Sequence, residues 1–345
     1  MGSNEIPTHI NKQIGNSFIK IPHVLILGAG ASKASFPNGD LNGLTMPLMN
    51  DLVEVVGLND LLKSSGIKYE DENFEAIFSH IANVAEKEEL RKELEKEIFA
   101  YFSRMQIRDE LTIYDKLILS LRDKDIIATF NWDPLLLYAY RRCGNYFESF
   151  KIKMPELVFL HGNVALGVCY EDKVLGPMDS ACSKCSKRFV QTPLLYPILK
   201  KDYTNDLVIK EQWDKLKYYM GEAYFITIFG YSAPDADIEA LKLMREASEK
   251  NPRKELYEIE IIDTKDHDIL IESWKNFIVR EHYRTRKVAN RSYLFQHPRR
   301  TIEAFFDCFL QNSPWPENPM PNCDTFEEMA DWFAPLLNEE REITD

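Results

Sequence analysis

The stretch His23-Val24-Leu25-Ile26-Leu27 runs without a break into Gly28-Ala29-Gly30-Ala31-Ser32, and this passage decides the reading of the fold. Four aliphatic residues behind a histidine read as a short strand buried on both faces, and the glycine turn that follows reads as the corner into a helix. Glycines at such a corner let backbone N–H groups approach a diphosphate closely, while the helix N-terminus adds favourable partial charge. Lys33 occupies the place of the third glycine in the G-x-G-x-x-G fingerprint, so the turn alone reads equally well as a nucleotide loop or a structural corner.

Four further apolar runs share the design. Asp125 to Phe130 ends at Asn131, Leu157 to Leu160 at His161, Tyr224 to Phe229 at Gly230, and Leu256 to Ile262 at Asp263. Largely apolar strands alternating with helical stretches predict a Rossmann-like α/β fold, a parallel sheet with helices on both faces. Ligands of such sheets bind beyond the carboxyl ends of the strands, and all five runs place glycine or polar residues there.

Between the first two strands, residues 45 to 122 are rich in Leu, Glu and Lys with apolar residues at helical spacing, as in Phe74, Ile77, Phe78 and Ile81. This predicts an all-helical insertion. Residues 1 to 20 read as a loose lead-in, 20 to 290 as the catalytic domain, and 291 to 345 as a helical tail. Two more helices are expected after residue 265, then a connector with Pro314, Pro316, Pro319 and Pro321. The last helix should start with Thr325 and Glu328 in capping-box spacing.

The charge of −13 opposes a nucleic-acid partner. Arg280, Arg284, Arg286, Lys287, Arg291, Arg299 and Arg300, with Glu281 as the one acidic neighbour, read as a solvated helical surface, with a phosphate or partner site as the alternative. No apolar stretch reaches the roughly 20 residues of a membrane helix, no secretory signal follows the polar N-terminus, and six scattered cysteines suit a reducing compartment. The expectation is a cytoplasmic protein.

The strand tips carry the candidate chemistry. In Thr129-Phe130-Asn131-Trp132-Asp133-Pro134, Asp133 can cap a helix whose first turn holds Pro134. Asn131 can hold a ribose hydroxyl and orient a water, or simply form the turn. His161, in Leu160-His161-Gly162-Asn163, reads as a general base or a structural histidine, with Gly162 leaving room for a ligand.

Taken in order, Gly28 to Ser32, Thr129 to Asp133, His161 to Asn163, and Phe229-Gly230-Tyr231-Ser232 with Asp235 and Asp237 resemble the sirtuin family. The match is closer to the NAD-hydrolysing sirtuin-like domains of bacterial antiphage defence systems than to the protein deacylases. It covers roughly residues 20 to 265. The resemblance implies that Gly28, Ala29, Gly30, Ala31 and Ser32 hold the NAD diphosphate and that Thr129, Asn131 and Asp133 lie near the nicotinamide ribose. It further implies that His161 is the catalytic base and that Gly230, Tyr231 and Ser232 line the adenosine side.

The chain departs from the deacylases at Phe130, where they carry Gln, and in lacking an Asp-Phe-Arg element after Pro37. Their structural zinc uses two C-x-x-C pairs, whereas here Cys182 and Cys185 form one and Cys169 has Leu166 and Asp172 at the partner positions. No bound zinc is therefore expected. These departures favour NAD+ hydrolysis over deacylation, with a non-catalytic NAD-binding subunit as a third reading. A homo-oligomer, built through the insertion or an apolar stripe of Phe326, Met329 and Phe333, and control by a partner such as an ATPase are also expected.

Overall fold

The computed structural model describes residues 19–67, 73–150, 152–198, 203, 205–234, 237–278 and 282–344. Most of the proposed lead-in, Asp235, Arg280 and Glu281 lie outside them. Strand β1 (His23–Leu27) is central and wholly buried. It pairs in parallel with β2 (Ile126–Thr129), which pairs with β3 (Glu156–Phe159). On its other side β1 pairs in parallel with β7 (Phe225–Phe229), followed by β8 (Glu258–Ile262) and β9 (Tyr283–Arg286). The order β3-β2-β1-β7-β8-β9 reverses direction at β1 and β7, which opens a crevice at their carboxyl ends.

Side-chain alternation along β1 explains the two layers. Leu25 and Leu27 face the core shared with the insertion and the last helix. Val24 and Ile26 face the opposite core, which contains Trp213, Met244 and Trp274. With both faces covered, the central strands read as unbroken apolar runs.

Helix α1 (Ala29–Ser35) follows the glycine turn. The insertion then forms α2 (Leu52–Val56), α3 (Asn59–Ser64), α4 (Phe74–Ala82), α5 (Glu88–Ser103) and α6 (Ile113–Leu119), and it holds no strand among the described residues. Phe74, Ile77, Phe78 and Ile81 are buried along one face of α4, as their spacing requires. Helix α7 (Leu135–Tyr146) follows β2. A small antiparallel sheet, β4 (Leu166–Cys169), β5 (Val174–Pro177) and β6 (Val190–Gln191), hangs between β3 and α8 (Leu207–Glu222). Helices α9 (Ile238–Glu249) and α10 (His267–Trp274) flank β8.

The basic stretch is not a helical surface. Arg284 and Arg286 lie on β9, where Arg284 Nε reaches Glu258 Oε1 at 2.7 Å and Arg286 Nε lies 3.5 Å from Glu260 Oε1, both acids on the neighbouring strand. Charged residues suit this edge strand because they discourage further strand pairing. Arg299 and Arg300 are buried against Glu340 in the last helix. Beyond β9 come α11 (Tyr293–Gln296), α12 (Thr301–Leu310) and α13 (Phe326–Thr344). Thr325 and Glu328 exchange capping-box bonds at the start of α13, at 3.2 and 3.4 Å. Met329 and Phe333 are fully buried in the same core as Leu25 and Leu27, so most of that apolar stripe docks on its own chain.

Candidate active site

A cavity of about 820 Å³ opens at the crevice and is lined by Gly28, Ala29, Gly30, Asn131, Asp133 and His161 from the β1, β2 and β3 ends. Gly230, Tyr231 and Ser232 beyond β7 and Asp263 beyond β8 line it as well. Met46 to Asn50 and Glu75 of the insertion complete one side, and Met320 and Asn322 of the tail reach another. The four sequence motifs thus meet in one space, but Ala31, Ser32 and Thr129 stand one layer behind its wall.

The glycines serve a purpose beyond approach to a ligand. A Cβ on Gly28 would sit 2.5 Å from Gly230 O, and one on Gly30 would sit 2.8 Å from Gly230 Cα. Gly230 itself has φ +62°, and its own Cβ would meet Ala31 N at 2.2 Å. Two strand-end turns therefore pack backbone against backbone, with Gly30 N–H donating to Gly230 O at 2.9 Å and Gly28 N–H to Phe229 O at 3.0 Å. Ala31 N–H is spent on Gly28 O at 2.9 Å. Gly162 corrects the expectation in the same way: its Cβ would lie 2.0 Å from Pro193 O, so the space is taken by the chain and not by a ligand.

Behind the glycine turn lies a buried polar network. Asn131 Nδ2 donates to Gly28 O at 2.9 Å and Ser32 Oγ at 2.8 Å, and Ser32 Oγ donates to Asp133 Oδ2 at 2.8 Å. The Tyr114 hydroxyl, brought by α6, lies 2.5 Å from Ser32 Oγ. Asp133 Oδ1 accepts the Leu135 N–H at 3.1 Å, so the capping reading holds for one oxygen while the other faces Ser32. Burial pushes the Asp133 carboxyl up to about 6, against the opposing pull of these two bonds. Tyr114 had no signal in the sequence, where α6 shows only apolar spacing.

His161 occupies the end of β3, nearly enclosed. Its Nε2 is 3.2 Å from the Tyr203 hydroxyl and 3.7 Å from Asp237 Oδ1. Tyr231 donates its hydroxyl to Asp237 Oδ2 at 2.7 Å, and its ring stacks on Phe130 with centroids 4.0 Å apart. Phe130 in turn packs edge-on against His161. The Tyr231 side chain therefore supports the histidine end of the cavity, and Asp237 supplies a carboxylate near the imidazole. Tyr203 had no recognisable sequence context. Asn163 completes the tie between strand ends by donating to Asp133 O at 2.7 Å.

The small sheet gathers Cys169, Asp172, Cys182 and Cys185, whose ligand atoms all lie within 4.8 Å of one another. The Cys169 and Cys185 sulfurs are 3.5 Å apart, and Asp172 Oδ2 is 3.4 Å from Cys169 Sγ and 3.1 Å from Cys182 Sγ. A tetrahedral zinc with ordinary bond lengths puts two thiolates about 3.8 Å apart, so three cysteines and one carboxylate fit it. Asp172, set aside in the sequence because it is not cysteine, would be the fourth donor. None of the four lines the cavity, so a zinc here would staple the small sheet.

No model of a known protein family matches the chain, and no curated protein does. Among solved structures it is similar to a Sir2 homolog–NAD complex at 14% identity, over 82% of this chain and 89% of that one, with a TM-score of 0.41. A mutant Sir2 homologue in complex with ADP-ribose is similar at 13% identity, over 79% and 96%, with a TM-score of 0.37. A Sir2 bound to an acetylated peptide is similar at 13% identity, over 80% and 98%, with a TM-score of 0.36.

Proposed function

We propose that the cavity binds NAD+ and cleaves the bond between nicotinamide and ribose, with water as acceptor, giving nicotinamide, ADP-ribose and a proton. The observation that carries this reading is the convergence of the glycine turn and α1 with Asn131, Asp133 and His161 in one cavity. Such cleavage develops positive charge on the ribose as nicotinamide leaves with the bonding electron pair. It needs a fixed ribose, little bulk water and one positioned nucleophile. Asn131 and Asp133 suit the ribose, and the enclosed His161 suits proton removal from the attacking water. The diphosphate is read beside the N-terminus of α1, and the adenosine between Gly230 to Ser232 and Asp263.

Water is favoured over an acyl-lysine by the lining. Strands β4, β5 and β6 contribute no residue to the cavity, whereas insertion residues Met46 to Asn50 wall it. Incubation of the protein with NAD+, with and without an acetylated peptide, followed by chromatography tests this. ADP-ribose formed equally in both arms supports hydrolysis. An acetylated ADP-ribose that appears only with peptide favours the deacylase reading, and NAD+ that binds without turnover favours the non-catalytic one. The motif order extends the proposal to NAD depletion in antiphage defence, in the cytoplasm, by a homo-oligomer held in check by a partner such as an ATPase.

A further inference from the structure

We propose that Tyr114, supplied by the helical insertion, is a positioning residue of the cavity. Its hydroxyl sets the direction of hydrogen bonding through Ser32 to Asp133 and leaves the Asn131 carboxamide oxygen for the ligand. This rests on the reading of the cavity as an NAD site.

The direction follows from counting donors. Tyr114 has one hydroxyl proton and two polar neighbours, Ser32 Oγ at 2.5 Å and Asn131 Nδ2 at 3.3 Å. An amide nitrogen only donates, so the phenol proton goes to Ser32. The Ser32 proton goes to Asp133 Oδ2, and Ser32 Oγ accepts from both Tyr114 and Asn131. The second Asn131 N–H is fixed on Gly28 O. Turning the amide over would set its oxygen against that carbonyl with no proton between them. With both N–H groups drawn inward, the oxygen of this cavity-lining residue is what remains for a ligand hydroxyl.

Tyr114 is held where it must be. It is fully buried, and burial with the nearby Asp133 raises its hydroxyl well above the ordinary range, so it stays a donor. The next residue, Asp115, forms a capping box with Thr112 at the start of α6 and accepts both Nε and Nη2 of Arg142 on α7, the helix that follows Asp133. At the other end of α6, Arg299 Nη1 donates to Leu119 O at 3.1 Å and Leu121 O at 2.8 Å. No charged side chain shifts Asp133. Burial raises its carboxyl, and the bonds from Ser32 and from backbone amides hold it back. Hydrogen bonds in a chain polarise one another, so a weaker Tyr114 donor weakens the Ser32 bond to Asp133.

The test uses Tyr114→Phe, which keeps the ring and removes the donor, and a full-length protein with 3-fluorotyrosine at position 114, which keeps the shape and strengthens the donor. Carboxyl ¹³C NMR of the ligand-free protein, with Asp133 assigned from Asp133→Asn, follows its titration. The midpoint should rise in Tyr114→Phe and fall in the fluorotyrosine protein. On NAD+ turnover, Tyr114→Phe should lower kcat about 10-fold, as expected for one lost buried hydrogen bond, with KM changed less than about 3-fold. An Asp133 midpoint that stays put in the fluorotyrosine protein overturns the inference whether or not Tyr114→Phe folds. So does an unchanged kcat in a folded Tyr114→Phe. A parent protein that leaves NAD+ intact defeats the proposed reaction instead, while the ligand-free titration still decides the hydrogen-bond order.

Discussion

At Asp133 the site spends stability to keep a carboxylate in an enclosed place. Its carboxyl is raised from 3.8 to about 6, so the folded chain holds a proton there that the unfolded chain has released. The stabilising contribution is therefore full below about pH 4 and lost as pH rises through about 6, amounting to roughly 3 kcal/mol at most. Asp133→Asn removes this slope. Urea denaturation at pH 4.5 and 7.5 should show the parent losing stability relative to the variant over that interval, and parallel pH profiles would contradict the burial argument. His161 should behave differently, because it stands at the cavity wall at the end of β3, where its proposed task is in turnover. His161→Ala should keep the melting temperature within a few degrees while NAD+ cleavage falls on the order of 100-fold or more, as for a lost general base. A folded variant that cleaves NAD+ at the parent rate would remove His161 from the reaction. Both residues were visible in the sequence, His161 because it ends an apolar run and Asp133 because it stands before Pro134 just beyond another. Tyr114 was not, since nothing in an amphipathic helix says which polar tip meets a site from another part of the chain.

The elements show the same boundary between what spacing reveals and what it conceals. Strands β1, β2, β3, β7 and β8 were legible because burial leaves them largely apolar, even though β3 begins with Glu156 and β8 carries Glu258 and Glu260. Strand β9 was not, because Tyr283-Arg284-Thr285-Arg286 has no apolar run. Its arginines lie against Glu258 and Glu260 across the ladder. The glycine turns were legible as turns, but their reason, contact between the ends of β1 and β7, joins residues about two hundred positions apart. In the small sheet the sequence showed three candidate cysteines, and the structure sets Asp172 beside them, because a carboxylate can stand where a thiolate is expected. Metal analysis of the purified protein should find about one zinc per chain, and Asp172→Ala should reduce that content while Asp172→Cys restores it. Zinc content unchanged in Asp172→Ala would remove Asp172 from the ligand set. Because these four residues lie outside the cavity wall, chelation should lower thermal stability before it changes KM for NAD+.

Across the whole molecule, the tail braces the helix that carries Tyr114 at both ends. Phe326, at the start of α13, lies under the Arg142 guanidinium at 5.0 Å, and Arg142 grips Asp115. Near the other end of α13, Glu340 accepts from Arg299, whose guanidinium also holds the last carbonyls of α6. Arg299 and Arg300 are both nearly excluded from solvent, and their charges hold Glu340 far below the ordinary carboxylate range. Loss of that acid would take from buried Arg299 its carboxylate partner and leave Arg300 with Glu339 at 3.7 Å, and breaking a buried pair from one side costs about 3–5 kcal/mol. Glu340→Gln should therefore lower stability by about that much near neutral pH, and the deficit should shrink as the parent's own Glu340 is protonated in strong acid. A chain ended at Asn312 should do worse, because it also removes Met329 and Phe333 from the core they share with the insertion. Near-UV circular dichroism and light scattering should show lost tertiary packing and aggregation. A monodisperse truncated chain with the parent's melting temperature would mean that the tail is an appendage, and it would sever the route by which α13 steadies Tyr114.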